Sequence, residues 1–147
     1  MKNCLLLVLA MLSLSIAGQE IPPETFETHM KRMINEKDII REYGVTGQDN
    51  SRHLYINLGC YDQYHQKDPL DVEGRKLFLW NEGAIFFYGA EYPLNLLRIR
   101  TQGENIVFYE FTYREQDKKY FIEVKFVKRY QDWELVDMAT TKLKAAY

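Results

Sequence analysis

The stretch Lys119–Leu143, KYFIEVKFVKRYQDWELVDMATTKL, decides the fold class. Ile122, Val124 and Phe126 share one parity with Glu123 and Lys125 between them, and only Phe121 and Val127 interrupt the polar side. A period of two over a run rich in aromatic and branched residues reads as a half-buried strand. Gln131-Asp132 breaks the run, and Trp133 and Leu135 then restart the alternation, so the whole reads as two strands joined by a tight turn. Continuing the same phase brings Asp137 beside Trp133 and Leu135, which raises the question of whether this carboxylate belongs to a site or to an exposed edge.

The signal extends upstream. KLFLWN, AIFFYGA, LNLLRIRT and NIVFYEFTYRE read as further strands, separated at Glu82-Gly83, Tyr92-Pro93 and Gln102-Gly103-Glu104, with Gln116-Asp117 before the last pair. Connections this short allow antiparallel neighbours, because a parallel crossover needs about a dozen residues or more. The expectation is a curved antiparallel β-meander. In NIVFYEFTYRE, Val107, Tyr109, Phe111 and Tyr113 alternate cleanly, while the other parity runs from apolar Ile106 and Phe108 to polar Glu110, Thr112 and Arg114. A sheet with one fully apolar face and one partly apolar face is expected to carry a helix on the first, and its own curvature or a partner on the second.

The N-terminal side supplies that helix. After Pro22 and Pro23, the segment from Glu24 to Gly44 spaces Phe26, Met30, Met33, Ile34, Ile40 and Tyr43 at intervals of three and four, with acids at its start, Arg41 near its end and Gly44 as a stop. Between helix and meander lies a punctuated region with a short strand near His53–Gly59; a second helix in YDQYHQK stays open, since Tyr61, Tyr64 and His65 could share a face. The fold class read from the sequence is therefore α+β, an N-terminal amphipathic helix packed on an antiparallel meander.

The first eighteen residues, MKNCLLLVLAMLSLSIAG, combine a basic start, an apolar run and small residues at the end, as a secretory signal peptide does. The expectation is one α+β domain over 19–147, exported and either secreted or periplasmic, with no membrane attachment after cleavage. Removing the leader takes away Lys2 and no acid, leaving 18 basic against 21 acidic residues and a net charge near −3. Basic residues are interleaved with acids, which excludes the concentrated basic footprint of a nucleic-acid binder. Of the two cysteines, Cys4 leaves with the leader and Cys60 has no partner for an internal disulfide, so stability rests on packing.

This order of elements, ending in the Trp133–Met138 strand WELVDM, resembles the cystatin-like α+β class and more specifically the nuclear transport factor 2-like superfamily of small exported bacterial proteins. The resemblance implies a cone-shaped domain whose curved sheet and helix enclose a cavity used for small ligands, for catalysis or for dimer contact. It carries no catalytic residue over to this chain.

The densest polar cluster is CYDQYHQKDPLD, with Cys60, Asp62, His65, Asp68 and Asp71. It lacks an HExxH, a CxxC or a calcium-loop pattern, so no metal and no cofactor is expected, and a solvated loop turning at Asp68-Pro69 accounts for it. Cys60 reads as a buried, inert thiol. His29 falls at the border of the helix's apolar stripe and is expected to have one hydrogen-bond partner, whereas His53 starts a strand and could face a cavity. Tyr and Trp exceed what a plain core needs, and buried phenols need partners. The candidate ligand-binding set is Asp137, Trp133, Tyr109, Tyr113 and His53, with Glu110 placed after Phe108 much as Asp137 is placed after Leu135.

Three function classes follow. The first is a non-enzymatic binding domain that holds a small apolar or aromatic ligand or pairs with a second copy of itself through the aromatic-rich sheet. The second is a periplasmic inhibitor or immunity protein that neutralises a toxin or enzyme through exposed aromatics such as Tyr61 and Tyr64 and an acidic loop. The third is a small isomerase, dehydratase or hydrolase working through a pocket carboxylate, with no catalytic residue identifiable.

Overall fold

The computed structural model describes residues 20–35, 53–90, 93–115 and 118–144. Helix α1 spans Pro23–Asn35; strand β1 is Leu54–Asn57, β2 Leu70–Val72 and β3 Arg75–Trp80. A short helix α2, Glu82–Phe87, precedes the long strands β4 Leu94–Gln102, β5 Ile106–Glu115, β6 Lys118–Arg129 and β7 Asp132–Leu143. The expected signal peptide and the second half of the expected N-terminal helix, with Ile40, Tyr43 and Gly44, lie outside the described residues.

The fold is α+β, built on a curled, mixed seven-stranded sheet in the order β2-β3-β1-β4-β5-β6-β7. The four long strands form the antiparallel meander read from the sequence, with β5 pairing residue for residue from Ile106↔Val127 to Glu115↔Lys118. The other end corrects that reading. Strand β1 lies between β3 and β4 and runs parallel to both, with Ile56 opposite Leu79 on one side and Leu94 on the other.

The correction has a local origin. AIFFYGA, read as a strand from its aromatic and branched residues, is the helix α2 and its C-terminal turn. Asn81 caps it, its side-chain oxygen accepting the Ala84 N–H at 2.9 Å. Between the end of β3 at Trp80 and the start of β4 at Leu94 the chain is long enough, with α2 in it, to return parallel on the far side of β1. With AIFFYGA taken as a strand, only short breaks remain between KLFLWN and LNLLRIRT, which leaves no parallel return from β3 to β4.

Parity then assigns the two faces. Leu54, Ile56, Leu77, Leu79, Leu94 and Leu96 point to one side of the first strands. Val107, Tyr109, Phe111, Tyr113, Ile122, Val124 and Phe126 continue that side through the meander, all with 4 % exposure or less. Helix α1 contributes Phe26, Met30, Met33 and Ile34 to the same cluster and buries His29 as well. Phe26 stacks on Tyr64 with ring centroids 4.1 Å apart, and Arg32 donates to the Trp133 carbonyl. Each large apolar side chain buried in this cluster contributes about 1.5–3 kcal/mol relative to exposure.

Two irregularities rotate the sheet's side chains. In β4, Leu96 pairs with Phe111 and Arg98 with Glu110, so Leu97 is an inserted residue. The Ile99 N–H just beyond it donates to the Tyr61 hydroxyl at 2.9 Å. In β7, Leu135 pairs with Phe126 and Asp137 with Lys125, so Val136 is inserted. An extra residue flips every following side chain to the other face.

Candidate functional site

The five sequence-derived site residues do not converge. Tyr109 and Tyr113 are buried on the core face of β5. Trp133 is half-buried on the same face at the start of β7, its ring edge-on to His29 with centroids 4.9 Å apart. Asp137 is exposed and sits opposite Lys125 on the other face, because the insertion at Val136 breaks the phase that would have brought it beside Trp133. His53 is exposed at the start of β1, edge-on to Phe78 at 5.5 Å.

Sequence reasoning placed His29 at a border, and the structure places it inside. It is fully buried, stacked on Phe126 at 4.1 Å, with Nδ1 2.6 Å from the Tyr109 hydroxyl. Among the described residues Nε2 has no hydrogen-bond partner. Burial, assisted by the Arg32 charge, lowers the His29 pKa to about 4, so the imidazole is neutral at pH 7. Burial likewise pushes the Tyr109 phenol above its ordinary value. The interior offers a packed imidazole–phenol pair, with both residues at 0 % exposure.

The cluster Cys60–Asp71 resolves into structural parts. Asp62–Tyr64 forms one turn of 3-10 helix where a second helix had stayed open. Tyr64 is buried, its hydroxyl donating to the Ile21 carbonyl at 2.7 Å. His65 Nδ1 accepts from the Asn81 N–H, and Asp71 accepts from the Gly74 N–H and pairs with Lys76 at 3.2 Å. The backbone N–H and Lys76 hold the Asp71 carboxyl below its usual range. Cys60 is exposed, against the expectation of a buried thiol, because Gly59 turns the chain out of β1 with φ at 57°. A Cβ on Gly59 would come within 3.1 Å of the Leu96 carbonyl.

Beside Ile21 the domain opens into two adjoining clefts. One, of about 210 Å³, is lined by Trp133, Lys128, Val107 and Thr25. The other, of about 310 Å³, is lined by Tyr61, Tyr64, Gln63 and Ile99, and both share Glu20, Ile21 and Thr101.

The outer face of the sheet carries two different surfaces. Over β4–β6 it is a charge ladder. Glu110 is buried to 7 % side-chain exposure and receives both Arg98 nitrogens at 2.9 Å and Arg100 Nε at 2.7 Å. Arg100 also bonds Glu123 at 2.8 Å and lies 4.6 Å over the Phe108 ring. The Arg98 fork, aided by Arg100, holds the Glu110 carboxyl below its usual range.

Over β1 and β3 the outer face is aromatic. Tyr55 stacks on Phe78 at 5.3 Å, Phe78 lies 4.6 Å from Trp80, and Trp80 lies 4.9 Å from Tyr88 at the end of α2. Beyond it Phe86, Phe87 and Tyr88 are 88 %, 79 % and 66 % exposed. Comparison with family models, curated proteins and solved structures finds no match to this chain. Its chemistry is therefore read from these surfaces alone. Three consecutive aromatics standing in water, continuous with three half-buried ones, form the feature that neither packing nor local structure accounts for.

Proposed function

We propose that the chain is an exported, non-enzymatic binding domain whose working surface is the outer aromatic face formed by Tyr55, Phe78, Trp80 and α2. The observation that carries this reading is the exposure of Phe86, Phe87 and Tyr88 beside that face, while α1 side chains fill the core side. Burying an aromatic side chain is worth up to about 3 kcal/mol, so a surface that leaves several in water gains most from a partner. In this reading α1 closes the concave side of the curl, as in the nuclear transport factor 2-like and cystatin-like domains that the order of elements resembles.

A protein partner suits the face better than a flat aromatic or sugar ring does. Tyr55 and Phe78 are nearly parallel, 19° apart, and stacked on each other, so one face of each ring is already occupied by its neighbour. At protein interfaces aromatics dominate the binding energy. A toxin or enzyme inhibited by this domain would dock here, since Tyr64 is buried and the Tyr61 hydroxyl is taken up by the Ile99 N–H.

The test is capture from the exported fraction with wild-type protein and with the Phe86→Ser/Phe87→Ser variant, analysed for proteins and co-purifying small molecules. A species retained by wild type and lost by the variant supports the reading. Equal retention by both refutes it. A second reading rests on the clefts beside Ile21, whose Trp133 and Tyr61 walls suit a small apolar ligand. A co-purifying small molecule released by Trp133→Ala, and retained by the Phe86→Ser/Phe87→Ser variant, favours that one.

A further inference from the structure

Building on the binding-face reading above, we infer that the occupant of the outer aromatic face is a second copy of this chain, docked by a two-fold axis that sets α2 and the β1–β3 aromatics of one protomer against those of its partner.

Area is the first argument. An aromatic side chain offers roughly 150–250 Å², so Phe86, Phe87 and Tyr88 at their exposures leave about 400–500 Å² uncovered. That already matches the largest patch of about 300–600 Å² on an ordinary monomer. A stable interface needs about 800 Å² from each partner, which the half-buried Tyr55, Phe78 and Trp80 and the surrounding polar residues can supply.

Charge is the second. A two-fold interface sets one patch against itself, so a patch of a single sign repels its copy. The aromatic strip Tyr55–Phe78–Trp80–Tyr88 contains no charge; beside it Lys76 pairs with Asp71 at 3.2 Å, and a single exposed acid, Glu82, opens α2. Such a border neither repels a copy nor selects for a strongly charged partner. It also argues against a membrane surface, because interfacial aromatic anchors pair with free Lys and Arg that attract anionic headgroups. Here Lys76, two residues before Phe78 on β3, is engaged by Asp71.

The full chain is expressed with its leader, purified from the exported fraction and examined by sedimentation velocity from about 1 to 100 µM, a range that brackets the weak and moderate dissociation constants of such contacts. The expected result is a species of twice the protomer mass that dissociates on dilution. The Phe86→Ser/Phe87→Ser variant is expected to raise the dissociation constant about tenfold or more, as central aromatic contacts do. Its circular dichroism stays unchanged, because neither side chain contributes to the core, and its thermal unfolding matches the wild type at concentrations where both are monomeric.

A wild-type protein that is monomeric across the range overturns the inference, and so does a dimer that persists undiminished in the variant. A monomer that co-sediments with phosphatidylcholine vesicles only when Phe86 and Phe87 are intact overturns it in favour of a membrane. If the wild type is monomeric yet the variant loses a partner in the capture experiment, the second copy is excluded and the binding face stands. If neither experiment responds to the variant, both readings fall.

Discussion

Acidification from pH 7 to about pH 4.5 should destabilise this protein chiefly through His29. Its pKa falls from the ordinary 6.5 to about 4 on folding, because the ring is fully buried between Phe126, Trp133 and Tyr109 with Arg32 adding positive charge. A depressed folded-state pKa means that the unfolded chain takes up the proton first. Stability from this group is complete above pH 6.5, declines as pH falls from 6.5 to about 4, and is flat below. At 1.36 kcal/mol per pKa unit, moving from pH 7 to about pH 4.5 removes about 2.5 kcal/mol, a large share of a total that is commonly about 5–15 kcal/mol. His29→Gln keeps a polar group within reach of the Tyr109 hydroxyl and cannot titrate. Urea unfolding of both proteins at intervals between those pH values isolates the term, since carboxylates such as Glu110 and Asp71 contribute equally to each. The difference in unfolding free energy between wild type and variant should shift by about 2.5 kcal/mol toward the variant across the range. A difference that stays constant within about 0.5 kcal/mol would show that the imidazole is hydrated or already paired, and would refute the argument from burial.

Glu110→Gln should cost about 1–2 kcal/mol at pH 7 in urea unfolding, because it replaces a carboxylate that anchors two arginines. The penalty should fade as pH drops below the ordinary carboxylate range, since the depressed pKa of Glu110 makes its contribution available only while it is ionised. Asp137→Ala, at an exposed outer position opposite Lys125, should change thermal stability by less than about 0.5 kcal/mol; a larger loss would mean that this carboxylate has a partner. Asn81→Ala should cost about 1 kcal/mol by removing the cap of α2, read from the urea midpoint. Cys60 should react with a thiol reagent under native conditions at a rate unchanged by urea, which a buried cysteine would not do.

The long strands β4–β7 were legible because each is a run rich in aromatic and branched residues bounded by polar breaks, with β5 and β6 alternating most cleanly. What escaped was decided by single residues. A strand's composition and a helix's composition overlap in Ala84–Tyr88, and the arbitrating signal was Asn81 placed to cap the turn that Glu82 begins. Missing it removed the crossover and with it the parallel placement of β1. His29 reads as a border residue when the helix is judged alone; its burial comes from Tyr109, Phe126 and Trp133 on three different strands, a tertiary arrangement. Asp137 depended on Val136, and an insertion leaves no mark in a pattern where Val136 and Leu135 are equally apolar.

The same ambiguity governs the aromatic surplus. Alternation assigns Tyr109, Phe111 and Tyr113 to one face and Tyr55, Phe78 and Trp80 to another, yet both sets are equally apolar in the sequence. Their difference lies in what covers them: α1 supplies five buried side chains over the first, whereas α2 lays only its last turn against the second and turns Phe86 and Phe87 away from it. A helix whose role was only to carry the chain across β1 would place polar residues outward and aromatics inward, the reverse of what α2 does. The capped start at Asn81 and the Trp80–Tyr88 contact fix the short helix that carries those two phenylalanines. It is this outward apolar projection, rather than the aromatic surplus as such, on which the proposed binding face rests.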